Sequence, residues 1–87
     1  MFKKRRGINV SYNKQGLIHF TCLDVKNQPE VIQRKVLNLC IEVAGEDYMA
    51  LYEAMTSDEL NITGIALKYY ISEKKIYNYR KAFYEAW

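Results

Sequence analysis

The chain of 87 residues has little of what enzymes and metal sites are built from: one histidine, two cysteines and four glycines. His19 has no cysteine at a spacing that would make a metal site or a catalytic pair with it. The glycines do not cluster into a phosphate-binding loop. These absences predict a protein that is not an enzyme, holds no metal or other cofactor, and has no evident small-molecule ligand.

The sequence also lacks a long apolar run. No stretch approaches the roughly 20 apolar residues of a membrane-spanning helix, and the basic start MFKKRR has no apolar region behind it, unlike a secretory signal. We therefore expect a cytoplasmic protein that does not enter a membrane. In that compartment Cys22 and Cys40 should be reduced core residues, although the sequence leaves a disulfide between them open.

Charge is unevenly distributed, although the formal net charge is only +3. Residues 1–28 carry six basic side chains against one acidic, which gives +5. Residues 29–60 carry two against seven, which gives −5, and residues 61–87 carry five against two, which gives +3. Two basic ends favour binding to a polyanion, because lysine and arginine neutralise phosphates. The alternative is a solvated surface on which the charges are segregated by chance.

The predicted fold is α+β and mostly α, in a single domain over 1–87. Residues 1–7 should form a mobile basic arm. Apolar and polar residues alternate on both sides of the turn-like sequence NKQG, which predicts a β-hairpin over 8–22. Ile18, Phe20 and Cys22 would share the core face of its second strand, with His19 on the opposite face.

About four helices should follow the hairpin. Pro29 and Glu30 suit the first turn of a helix that runs to Ala44 and stops at Gly45. Acidic residues at 46–47 suit the start of a second helix, which would extend through Met55. The last two helices should lie on either side of a break at Tyr70 and Ile71.

The segment 65–83, IALKYYISEKKIYNYRKAF, predicts two short helices joined by a tight turn. Ser72 suits the N-cap of the second helix, and Ile76, Tyr79 and Phe83 would face inward. The pattern I-A-x-x-x-x-I-S-x-x-x-I resembles the helix-turn-helix of region 4 of sigma factors and of small phage or transposon regulators. The ending KKIYNYRKAFYEAW also makes the chain similar to small proteins of Gram-positive phages and integrative elements. Tyr70 stands where such turns usually have glycine, so either a left-handed residue there is strained or the turn is built differently.

The resemblance implies that helix 72–86 enters the major groove of DNA, with its outward side chains near the base edges. Lysine can read guanine, asparagine can read adenine, and glutamate can accept from cytosine. Basic residues nearer the edges would contact phosphates, and the arm would reach the minor groove or remain a solubilising tail. The predicted DNA-binding residues are Lys68, Ser72, Glu73, Lys74, Lys75, Tyr77, Asn78, Arg80 and Lys81, together with Arg5 and Arg6 of the arm.

The sequence therefore predicts a sequence-specific protein that binds double-stranded DNA, as a transcriptional regulator of a phage or mobile element. One helix-turn-helix makes few base contacts, so a homodimer or the arm would add to them. The alternative is a protein-interaction or assembly module, such as a small packaging subunit or an adaptor, that keeps the helix-turn-helix shape. The eight tyrosines and the acidic middle of the chain favour this alternative.

Overall fold

The computed structural model describes residues 7–87, and this part of the chain folds into five α-helices without a strand. Short 3-10 turns at Val25–Asn27 and Gly45–Asp47 precede the second and third helices. The predicted basic arm, including Arg5 and Arg6, lies outside the described residues except for Gly7. The helices are α1 (Tyr12–Leu23), α2 (Glu30–Ala44), α3 (Tyr48–Thr56), α4 (Ile62–Tyr69) and α5 (Glu73–Ala86).

The predicted β-hairpin over 8–22, and with it the α+β class, is wrong, because α1 occupies this part of the chain. The Ser11 hydroxyl caps the helix by accepting from the backbone N–H of Lys14 at 3.2 Å. Gln15, Ile18 and Cys22 recur at the helical spacing and are all fully buried. Phe20, which the hairpin would have buried, is 54% exposed.

Helix α2 confirms the helix predicted between Pro29 and Gly45. It begins at Glu30 and ends at Ala44, and Gly45 has a positive φ of 55°, which glycine adopts without steric cost. Val36 and Cys40 are completely buried on its inner face. The helix packs against α3 and α5.

The main hydrophobic core joins α1, α2, α3 and α5. Cys22 and Cys40 lie in it, which confirms that they are core residues, and burial raises the pKa of each thiol to about 12. Trp87 folds back onto the core, with its ring centroid 5.9 Å from that of Phe83. The fully buried members of this core are Ile18, Cys22, Val36, Cys40, Leu51, Phe83 and Tyr84.

A second, smaller core lies beneath the last two helices. Ala50 of α3 packs there with Ile65 and Ala66 of α4 and with Ile76 of α5, and all four side chains are buried. Ile71, between the two helices, packs against the edge of this cluster. The predicted role of Ile76 as an inward residue is confirmed, and α3 is the base on which α4 and α5 rest.

Candidate nucleic-acid interface

Helices α4 and α5 are joined by a three-residue turn whose first residue is strained. Tyr70 has φ 57° and ψ 41°, and among residues 7–87 it is the only non-glycine residue with a positive φ. The following N–H, of Ile71, donates to the Ala66 carbonyl at 3.1 Å, as in glycine-terminated helices. The Tyr70 side chain is 94% exposed, so packing does not offset the left-handed conformation, which costs roughly 1–2 kcal/mol.

The first residues of α5 hold the turn in place. The Ser72 hydroxyl accepts from the Lys75 backbone N–H at 3.1 Å, which confirms the predicted N-cap. Glu73 accepts from the Thr63 hydroxyl at 3.0 Å, across the turn. Both side chains remain exposed, but their oxygens already take part in the local structure.

Two of the predicted DNA-binding lysines are paired with carboxylates. Oε1 of Glu53 accepts from Lys68 Nζ at 2.8 Å and from the Tyr69 hydroxyl at 2.9 Å. We call this group of Glu53, Lys68 and Tyr69 the α4 clamp, because it ties the end of α4 to α3.

A second group has the same chemistry. Oδ2 of Asp47 accepts from the Tyr79 hydroxyl at 2.7 Å and from Lys75 Nζ at 3.3 Å. We call this group of Asp47, Lys75 and Tyr79 the α5 clamp, because it ties α5 to the turn before α3. Each clamp thus joins one carboxylate from the acidic middle of the chain to a tyrosine and a lysine from the basic end.

The clamps keep their carboxylates ionised. The hydrogen bond from Tyr79, followed by that from Lys75, holds the pKa of Asp47 below its usual value of 3.8. The hydrogen bond from Lys68, followed by that from Tyr69, likewise lowers the pKa of Glu53 from its usual 4.5. The charges of Lys68 and Lys75 are therefore offset locally, which leaves less of their field for a polyanion.

Three other predicted residues form an exposed stripe along α5. Lys74, Asn78 and Lys81 lie at positions i, i+4 and i+7, on the side away from the core. No hydrogen bond or ion pair to another residue between 7 and 87 engages them. Tyr77 lies beside the stripe, 48% exposed, and the Arg80 guanidinium sits 4.9 Å from the centre of its ring.

Arg80 also lines a groove of about 360 Å³ between α1 and the start of α4. His19 and Asn61 line the same groove, so the helix that replaced the predicted hairpin brings the histidine next to α5. The sequence analysis missed this position of His19, because it predicted a β-hairpin where residues 12–23 form a helix.

Sequence reasoning also missed the carboxylates that bind two of the predicted cations. Asp47 was expected only to support a helix start. The opposite net charges of 29–60 and 61–87 were the available signal, since oppositely charged segments of one small domain tend to pair. Which side chains would pair depended on the packing of α4 and α5 on α3.

The described residues contain no group of three or more histidine, cysteine, aspartate and glutamate side chains that could hold a metal ion. Between residues 7 and 87, every helix is too short or too polar to cross a membrane. In comparisons with known proteins, no family model matches the chain, and neither a curated protein nor a solved structure is similar to it.

Proposed function

We propose that the protein binds double-stranded DNA by placing α5 in the major groove. The observation that carries the proposal is the exposed stripe of Lys74, Asn78 and Lys81, whose donors and acceptors are free within the described chain. The opposite side of α5 is anchored by Ile76, Phe83 and Tyr84, all completely buried. A helix held this way can present a fixed face to base edges.

The side chains of the stripe suit both parts of DNA recognition. Asn78 can make a bidentate pair with adenine, and Lys74 can donate to guanine, so these two residues are proposed to read bases. Tyr77 offers its ring to a thymine methyl group. Lys81 and Arg80 are proposed to contact phosphates, which position the helix without specifying sequence.

The clamps support this role indirectly. They fix α4 and α5 on α3 through tyrosine and lysine side chains, so α5 would meet DNA as a preformed surface with little ordering cost. Ser72 and Glu73 are proposed to maintain the turn, while Lys68 and Lys75 contribute less than their charge suggests. The resemblance to helix-turn-helix regulators leads us to propose transcriptional regulation in a phage or mobile element as the biological setting.

The test uses the full chain, a duplex pool with random central positions, and binding measured by fluorescence anisotropy between 50 and 200 mM salt. We expect selection of a preferred duplex and a log K that falls steeply with log salt, with a slope of about −0.9 for each phosphate neutralised. Absence of binding at 50 mM salt, or binding that does not change with salt, would refute the proposal.

The variant Asn78→Ala tests the reading of bases. It should lose about 1–3 kcal/mol on the preferred duplex and nothing on unrelated duplexes, so that base preference is relaxed. Lys26→Ala, an exposed cation outside α4 and α5, is the control and should retain the preference. Equal losses on all duplexes for Asn78→Ala would show that Asn78 does not read a base.

A protein-interaction or assembly module is the second candidate function. Exposed apolar side chains on α2 and α3 favour it, because they add nothing to DNA binding: Val31 is 71% exposed, Met49 56% and Ile41 45%. A chain that binds no duplex at low salt would favour this candidate over the first.

A further inference from the structure

A groove of about 510 Å³ lies between α2 and α3, next to the end of α4. We call it the tyrosine groove; its walls include Leu37, Tyr48, Met49, Tyr52, Glu53 and Tyr69. Its volume is within the range of about 300–1,000 Å³ of sites that bind side chains and small ligands. No residue of α5 lines it, so the tyrosine groove is separate from the exposed stripe.

Glu53 is the only charged side chain among the described residues that line this groove, and it is only partly satisfied. Both bonds of the α4 clamp go to Oε1, at 2.8 Å from Lys68 and 2.9 Å from Tyr69. Oε2 accepts from no other residue between 7 and 87. The Glu53 side chain is only 21% exposed, and an ionised carboxylate in such a setting gains from a further charged donor.

The surroundings of Glu53 suit a cation that arrives with an apolar neighbour. Tyrosine faces attract guanidinium and ammonium groups. Of the three tyrosines that line the groove, Tyr69 already has Lys68 Nζ 5.4 Å from its ring centre, and Tyr48 and Tyr52 are the two that a partner's cation can approach. Leu37 and Met49, 39% and 56% exposed, supply an apolar wall, and methionine adapts its shape to different partners. Residues 29–60, which include α2, α3 and the turns on either side of α3, carry a net charge of −5.

We propose that the tyrosine groove binds a segment of a partner protein that carries an arginine or lysine about one helical turn from an aliphatic or aromatic side chain. The cation faces Oε2 of Glu53 and the tyrosine rings, and the apolar side chain packs on Leu37 and Met49. Basic and apolar groups together match the free Oε2 of Glu53 and the apolar lining of the groove. The tyrosine groove does not overlap with α5, so this partner would not compete with DNA bound as proposed above.

The experiment selects binders from a displayed library of random 12-residue peptides on the immobilised full chain. Enriched peptides should carry arginine or lysine three or four positions from an apolar residue. The affinity of a synthetic peptide from this pool should fall at least tenfold in Met49→Lys, which blocks the apolar wall with a cation, and in Glu53→Gln, which removes the charge. Val31→Lys makes the same type of change outside the groove, at a residue 71% exposed, and should keep the affinity.

Several results would overturn the proposal. These are an absence of enrichment, enrichment of acidic peptides, and peptides whose affinity is the same in Met49→Lys, Glu53→Gln and the parent chain. Competition by duplex DNA would place the peptide on α5 instead. A chain that self-associates in sedimentation, and that Met49→Lys makes monomeric, would show that a second copy is the occupant. Circular dichroism checks folding, and Leu37→Lys repeats the test if Glu53→Gln loses the fold.

Discussion

Lys74 and Lys75 are neighbours in the sequence, but the structure gives them different surroundings. Lys75 is bound to Asp47 in the α5 clamp, whereas Lys74 has no partner between residues 7 and 87. A step of one residue turns the side chain by about 100° around the helix axis, and this is enough to separate them. Lys68 and Lys81 differ in the same way. A basic segment therefore presents a basic surface only where its lysines are not paired with carboxylates of the same chain.

The two clamps also differ from ordinary surface ion pairs. Exposed pairs of lysine and carboxylate contribute little to stability, because water and salt screen them. In both clamps the carboxylate receives a tyrosine hydroxyl as well, at 2.7 Å for Asp47 and 2.9 Å for Glu53, and it is only about one-fifth exposed. Hydrogen bonds to charged groups contribute more than neutral ones. We infer that in the α5 clamp the tyrosine, more than the lysine, holds α5 on the rest of the fold, whereas in the α4 clamp the lysine makes the shorter hydrogen bond.

The largest effect is expected in DNA binding, to which the lysines of the exposed stripe should contribute more than the lysines of the two clamps. Changing Lys74 and Lys81 together to alanine should weaken binding strongly, because the variant loses the proposed guanine contact of Lys74 and the proposed phosphate contact of Lys81. Loss of the phosphate contact should reduce the salt slope by about 1. Changing Lys68 and Lys75 together should reduce the slope by less than half as much, since their charges are already offset. Anisotropy over a salt series measures both variants. Equal losses would remove the distinction between free and paired lysines.

The next effect compares tyrosine with lysine inside the α5 clamp. Tyr79→Phe removes the 2.7 Å hydrogen bond to Asp47 and should lower the free energy of unfolding by about 1.5 kcal/mol. Lys75→Ala should lower it by less, because its side chain is 57% exposed and its contact is longer. Urea unfolding followed by circular dichroism gives both values. A larger loss of unfolding free energy in Lys75→Ala than in Tyr79→Phe would show that the lysine makes the main contact with Asp47.

A third effect, on stability, concerns the turn between α4 and α5. Tyr70→Gly should raise the free energy of unfolding by about 1 kcal/mol, because glycine adopts the left-handed conformation without steric cost and the exposed tyrosine ring loses no packing. Thermal unfolding measures the gain, and Tyr77→Gly, inside α5, should show a loss instead. A Tyr70→Gly variant less stable than the parent would mean that the ring has a stabilising contact.

The smallest effect is the pH dependence that the clamps produce. Both carboxyl pKa values are lowered by folding, so the stability they supply is present above the ordinary values of 3.8 and 4.5 and is lost as the pH falls through the folded values. Urea unfolding from pH 6 to pH 3 should show this decline. The double variant Asp47→Asn, Glu53→Gln should flatten the dependence. An equally steep decline in that variant would assign the effect to other carboxylates.

The first third of the chain shows where sequence reasoning failed. Residues 18–22 alternate apolar and polar side chains as a strand would, but the same residues also place Ile18 and Cys22 one helical turn apart. Ser11 as a helix cap was a local signal that favoured the helix. Burial of Gln15 inside the core, with its amide donating to the Val10 carbonyl at 2.9 Å, was not readable from any local pattern.

The sequence by itself determined the helices whose ends carry capping or helix-terminating residues. Pro29 and Gly45 bound α2, and Ser72 caps α5, because these residues act on the backbone within a turn of where they stand. Only the tertiary structure decided which charges remain available. Asp47 and Glu53 meet tyrosines and lysines 15 to 32 residues away, since α3 forms the base beneath α4 and α5. Contacts over such separations depend on how helices pack, and no local pattern encodes them.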